Sequence, residues 1–110
     1  MQYIPINKNK IPYSFDVKLD DETFTFTVNY NAEFDYFTVD LEKQGEIIVL
    51  GEKVLYGLPL FNSITHKNLP NVFIIPYDLS NQKIKVNWDN LMEHVYLYII
   101  KPEEFENVLW

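Results

Sequence analysis

The side chains that could carry chemistry are few. They are His66, His94, Ser14, Ser63, Ser80, and a run of carboxylates at Asp16, Asp20, Asp21 and Glu22. Neither histidine has a second ligand at a metal-binding spacing such as HxxxH, so each reads as a polar surface or loop residue. None of the serines lies in a GxSxG setting, which leaves no nucleophile elbow for acyl transfer. The carboxylates crowd the end of a predicted hairpin. They lack the Asp/Asn alternation and glycine of a calcium loop, and Asp is favoured in turns because it hydrogen-bonds its own backbone. A solvated turn is the reading they support. Gly51 and Gly57 are too sparse, and too closely flanked by bulky residues, to cradle a phosphate. Trp88 and Trp110 could stack on a sugar or a base. These residues predict no catalytic group, no metal site and no cofactor, and hence no enzyme.

Charge narrows the partners. The net charge is −7, and the nine basic residues are all lysine. Such a surface repels phosphate backbones and lacks arginine for bidentate base or phosphate recognition, which excludes nucleic acid. There are no cysteines, so disulfides and thiolate chemistry are absent. Residues 1–10 lack the apolar core of a signal peptide, and apolar runs such as residues 96–100 are too short to span a bilayer. Synthesis in a cytoplasm, with no export signal and no membrane insertion, is the expectation. Aromatics reach 16% of a chain of 110 residues. A core this small cannot hide every large ring, so part of that excess is expected in a contact patch.

The elements that must position these residues are strands. Phe24, Phe26, Val28 and Tyr30 alternate with Thr23, Thr25, Thr27 and Asn29, and Phe37, Val39 and Leu41 alternate with Tyr36, Thr38 and Asp40. Period-two alternation places one set on a buried face and the other in water, so residues 24–41 predict a hairpin. Phe15, Val17 and Leu19 give a strand before it. Residues 47–50 are continuously apolar, which predicts a short strand buried on both faces, with Gly51 and Glu52 turning the chain after it. Further strands are expected at residues 72–75, at 84–86 as a lysine-guarded edge, and at 95–100, apolar on both faces. Single helical turns fit residues 62–68 and, with Asn90 as N-cap and Glu93 as its reciprocal partner, residues 87–93. About seven short strands with at most one or two helical turns predict an all-β, mainly antiparallel sandwich or partly open barrel. The domain is expected over residues 1–102. An acidic tail over 103–110, with Phe105, Val108, Leu109 and Trp110 interleaved, either packs back on that domain or docks on another chain.

Several short motifs follow in a particular order. Ile4-Pro5-Ile6 opens the chain and leads to Phe15, Val17 and Leu19, then to the aromatic hairpin. Gly51 and Gly57 bracket an apolar segment followed by Leu58 and Leu60. Leu69-Pro70 precedes the strand at 72–75 and Asp78, and Asn90-Leu91 precedes Val95, Leu97 and Tyr98. In this order they resemble the baseplate plug family of contractile-tailed bacteriophages, of the cyanophage type. The chain departs from that pattern at Asn71-Val72, where a glycine is expected, and the tail from residue 103 runs past it. The resemblance implies a structural, non-enzymatic protein of the virion tail baseplate. It would sit near the central hub and tube as a plug, in several copies per particle. It would pack against hub, tube or tape-measure subunits. The alternative left open by the residues themselves is a carbohydrate-binding β-sandwich that uses Trp88, Trp110 or surface tyrosines.

For the partner surface, the sequence singles out Tyr56, Leu58, Leu60 and Phe61, where glycine and proline take the chain out of the sheet with apolar residues still to place. Phe105, Leu109 and Trp110 join them from the tail. The competing reading for both sets is packing against the domain's own core.

Overall fold

The alternation at residues 24–41 is realised side chain by side chain. In the computed structural model, which describes residues 1–104, Phe24, Phe26, Val28, Phe37, Val39 and Leu41 are all buried. They lie on β2 (Glu22–Asn31) and β3 (Tyr36–Lys43), paired antiparallel with Phe26 opposite Leu41 and Val28 opposite Val39. β1 (Tyr13–Leu19) and β4 (Glu46–Lys53) complete a four-stranded antiparallel sheet in the order β1-β2-β3-β4. The outer face carries the polar set. Ser14 pairs with Thr27 at 2.6 Å, and the Thr25 hydroxyl donates to Asp16 at 2.8 Å.

The turns are dictated by residues that tolerate positive φ. Asp20 (φ 50°) and Asp21 (φ 65°) form the two-residue link from Leu19 to Glu22, and Gln44 (φ 51°) and Gly45 (φ 81°) form the one from Lys43 to Glu46. Two positive φ values in succession are what a two-residue hairpin needs to match strand twist, and Asp and Gly supply them. The acidic cluster is therefore a turn, as its composition predicts.

A second antiparallel sheet pairs β5 (Phe73–Tyr77) with β6 (Tyr96–Ile100). Its Ile74 and Leu97 share one core with the inner face of the first sheet. Ile75, Tyr98 and Ile100, on the opposite face, form a smaller buried cluster with Phe73, Tyr77 and Tyr96 against it. β6 is thus apolar on both faces, as expected. Irregular segments cover both edges of this sheet. The Ile4 amide donates to the Leu97 carbonyl and the Ile99 amide to that of Gln2, both at 2.9 Å. On the β5 side, the amides of Gly57 and Leu60 donate to the carbonyls of Pro76 and Ile74.

The fold is all-β with two antiparallel sheets and no closed barrel, and the described residues hold six strands rather than seven. The strand expected at 84–86 is a loop, with Ile84 82% exposed and Val86 buried. The cause is Asp78. Its buried carboxylate accepts from the amides of Ser80, Gln82 and Lys83 and from the Ser80 hydroxyl, so these donors are committed to a loop rather than a ladder. Residues 62–68 and 87–93 form turns, not helices. At the second, the Asn90 carbonyl accepts from three successive amides, those of Glu93, His94 and Val95, which closes a tight loop. The helical turns present are short 3-10 turns, Lys8–Lys10 and Pro102–Glu104.

The run at 47–50 is the clearest departure. It was expected to be buried on both faces, yet Ile47 is 56% and Leu50 68% exposed, and only Val49 is buried. The strand also continues through Gly51 to Lys53 instead of turning. Leu41 pairs with Val49, but Glu42 pairs with Ile47 and Val39 with Glu52. One extra residue therefore sits at Ile48, and another in the Leu50–Gly51 pair opposite Asp40. Such bulges re-aim side chains and strengthen twist. The second is built by Gly51 at φ 71°, whose amide donates to the Asp40 carboxylate at 2.7 Å.

Candidate interaction surface

The segment after β4 crosses from one sheet to the other. Val54 stays on the first sheet, its amide donating to the Phe37 carbonyl at 3.0 Å, and Gly57 and Leu60 then bond along β5. A bridging segment has one side facing the core and one facing water. Leu60 and Phe61 take the core side, and Phe61 meets the Phe26 ring edge-on at 6.1 Å. Phe61 adopts φ 65°, with its amide held by the Glu52 carboxylate at 2.8 Å. Tyr56 is half-buried. Its ring stacks on Tyr77 at 5.2 Å, its hydroxyl accepts from the Asp78 amide at 3.0 Å, and burial pushes the phenol pKa up. Leu58 takes the water side, 56% exposed, and Leu55 is exposed beside it. Both line a shallow groove with Pro59, edged by Glu52 and Lys53.

Of the residues singled out for a partner surface, the structure thus leaves Leu58 open, half-covers Tyr56, and puts Leu60 and Phe61 inside the core. Phe105, Leu109 and Trp110 lie outside the described residues. Leu55, Ile47 and Leu50 are exposed apolar residues that the sequence reading did not single out. A glycine directly after the apolar run 47–50 is the signal that could have found the last two, because glycine within a strand marks a bulge.

The groups that could do chemistry are dispersed into structural tasks. The His66 ring nitrogen Nδ1 accepts from the Asn68 amide at 3.0 Å, while Nε2 lies 4.0 Å from Glu46. His94 is exposed in the 92–94 turn. Ser14 and Ser80 are held by Thr27 and Asp78, and Ser63 is exposed. Among the described residues no group of three His, Cys, Asp or Glu side chains could hold a metal ion.

Trp88 packs within the chain. Its ring lies 4.8 Å from Tyr30 and stacks on Phe37 at 6.0 Å and 12°, with the Lys8 ammonium 5.6 Å from its centre. The Trp88 amide donates to Asp35, which also accepts from the Tyr30 hydroxyl at 2.6 Å. That hydrogen bond to a carboxylate pushes the Tyr30 phenol up to about 12 and holds the Asp35 carboxyl below its ordinary range. Trp88 is half-buried among these neighbours.

The fold is that of a small all-β domain that exposes apolar side chains, Leu55 and Leu58 among them, on the segment after β4. Residues 1–103 match the family described as cyanophage baseplate Pam3 plug gp18. The match covers nearly the whole chain, which belongs to this family of phage baseplate plugs. No curated protein matches the chain. Its role is structural and its place is the tail baseplate of the virion. No helix among the described residues is long and apolar enough to cross a membrane.

Proposed function

We propose that the chain plugs the baseplate by packing, without catalysis, near the central hub and tube, and that Leu55, Leu58 and Pro59 form a contact with one of those neighbours or with the tape measure. The family match over residues 1–103 carries this reading. The exposed leucines support it, since contiguous apolar surface is where partners bind. Tyr56 frames the patch, while Leu60 and Phe61 anchor it from behind. Phe105, Leu109 and Trp110 are further contacts on the strength of their sequence alone. Several copies assemble per particle, after synthesis in the host cytoplasm.

Mass spectrometry of purified tails tests the reading. The chain is expected in fixed proportion to hub and tube proteins, and Leu58→Asp is expected to lower that proportion without changing the thermal melt. Tails that assemble and never contain the chain would contradict the plug role.

A further inference from the structure

An apolar sheet face must be buried against a second layer. The β5–β6 pair has two such faces. One, with Ile74 and Leu97, lies on the shared core. The other carries Phe73, Ile75, Tyr77, Tyr96, Tyr98 and Ile100. At its middle Ile75, Tyr98 and Ile100 are buried, and burial pushes the Tyr98 phenol pKa up.

Among the described residues, the hydrophobic side chains packed on these three are Phe73, Tyr77 and Tyr96, which stand on the same face. Residues 2–4 and 57–60 bond along the two edges, which puts them in the plane of the sheet. From there Tyr3 and Tyr56 meet its rim, their rings 4.8 Å from Tyr96 and 5.2 Å from Tyr77. Two strands side by side do not bury the middle of their own face, so a further layer lies over it.

The course of the chain points to that layer. β6 ends at Ile100, on this face. The Pro102–Glu104 turn then closes on Lys101. The Glu104 amide donates to the Lys101 carbonyl at 2.9 Å, and the Lys101 amide to the Glu104 carboxylate at 3.2 Å. This stops the chain from running on in the direction of β6. Six residues follow, and Phe105, Val108, Leu109 and Trp110 among them are apolar. Six extended residues reach about 20 Å and a five-residue strand runs roughly 17 Å, so the segment can span the face. Tethered beside its seat, it binds at high effective concentration. A second copy would instead bring a like net charge of −7.

We propose that residues 105–110 are the outer layer of the β5–β6 sheet, with their apolar side chains set on Ile75, Tyr98 and Ile100. Whatever the tail offers a neighbouring subunit is then offered from this seat, as one surface with Tyr77 and Tyr96. The seat belongs to the single chain and stands apart from the plug role.

The chain has no cysteine, so Asn107→Cys or Glu106→Cys takes a single nitroxide on the purified full chain. Amide signals of residues 73–77 and 96–100 should be broadened well beyond those of β2, which lies about 10 Å further away across the core. Isotope-labelled chains without the nitroxide, mixed with nitroxide chains of ordinary isotope, should stay sharp. Ending the chain at Glu104 should lower the melting temperature by roughly 5 °C or more. Signals of β5 and β6 no broader than those of β2 with both labels, or a melt unmoved by the truncation, overturns the proposal. Broadening in the mixed sample overturns it in favour of the tail of a second copy.

Discussion

The β2–β3 hairpin and β4 lie in the same sheet and obey different rules. Along the hairpin Phe24, Phe26, Val28, Phe37, Val39 and Leu41 alternate with polar residues and are buried, and the register runs without interruption from Thr25 opposite Glu42 to Asn31 opposite Tyr36. β4 is just as apolar over residues 47–50, yet two bulges break its register and turn Ile47 and Leu50 to solvent. The difference teaches that burial follows the pairing of the backbone and not the hydrophobicity of a run. A strand held on both sides keeps strict alternation. A strand held on one side can bulge and present apolar residues outward.

The sharpest way to break this comparison is to truncate one side chain from each region. Phe26→Ala, at the centre of the core, should cost about 3–5 kcal/mol in chemical denaturation. Leu50→Ala should stay within about 0.5 kcal/mol. Equal costs would mean that β4 is packed like the hairpin.

Asp78 comes next, because it decides that residues 79–83 form a loop. Asp78→Ala strands three amides and a hydroxyl, and the melting temperature should fall on the order of 5–10 °C. The Ser80 hydroxyl, followed by the three amides, holds the Asp78 carboxyl below its ordinary range. A lowered folded-state value adds stability above the ordinary carboxylate pKa of about 4, and that stability is lost as pH falls through the lowered value. Melting curves taken across that acid range should be flatter for Asp78→Asn than for wild type.

A smaller effect sharpens the account of the bulge. Gly51→Ala should cost about 1 kcal/mol, because a side chain there meets no atoms and is opposed only by the positive φ. A neutral change would show that the bulge is not fixed at that residue. The smallest expected signal is alkaline. Tyr30, raised to about 12 by Asp35, keeps its contribution below the ordinary tyrosine value and loses it as pH rises through about 12. A tyrosinate absorbance titration should lose its highest step in Tyr30→Phe.

Much of this fold was legible because its signals are local. Alternation gave the hairpin, Asp20 and Asp21 gave the turn before it, and the doubly apolar run gave β6. What misled depends on distant partners. Ile84 and Val86 alternate like a strand, but Asp78 had already engaged the backbone before them. Leu60 and Phe61 look like surface residues after Gly57 and Pro59, but the bridging segment turns them onto the hairpin and Phe26. The exposed apolar residues were only partly readable for the same reason. Leu58 follows from glycine and proline punctuation, whereas the exposure of Ile47 and Leu50 is signalled only by Gly51, which marks a bulge but not which residues it turns outward.

The most direct test of the plug role is a single-particle reconstruction of isolated tail baseplates. A two-sheet β domain matching residues 1–104 should occupy the axial region, with residues 55–59 against a neighbouring subunit. A closed baseplate axis built without this domain, or the domain present with that segment facing solvent, would contradict it.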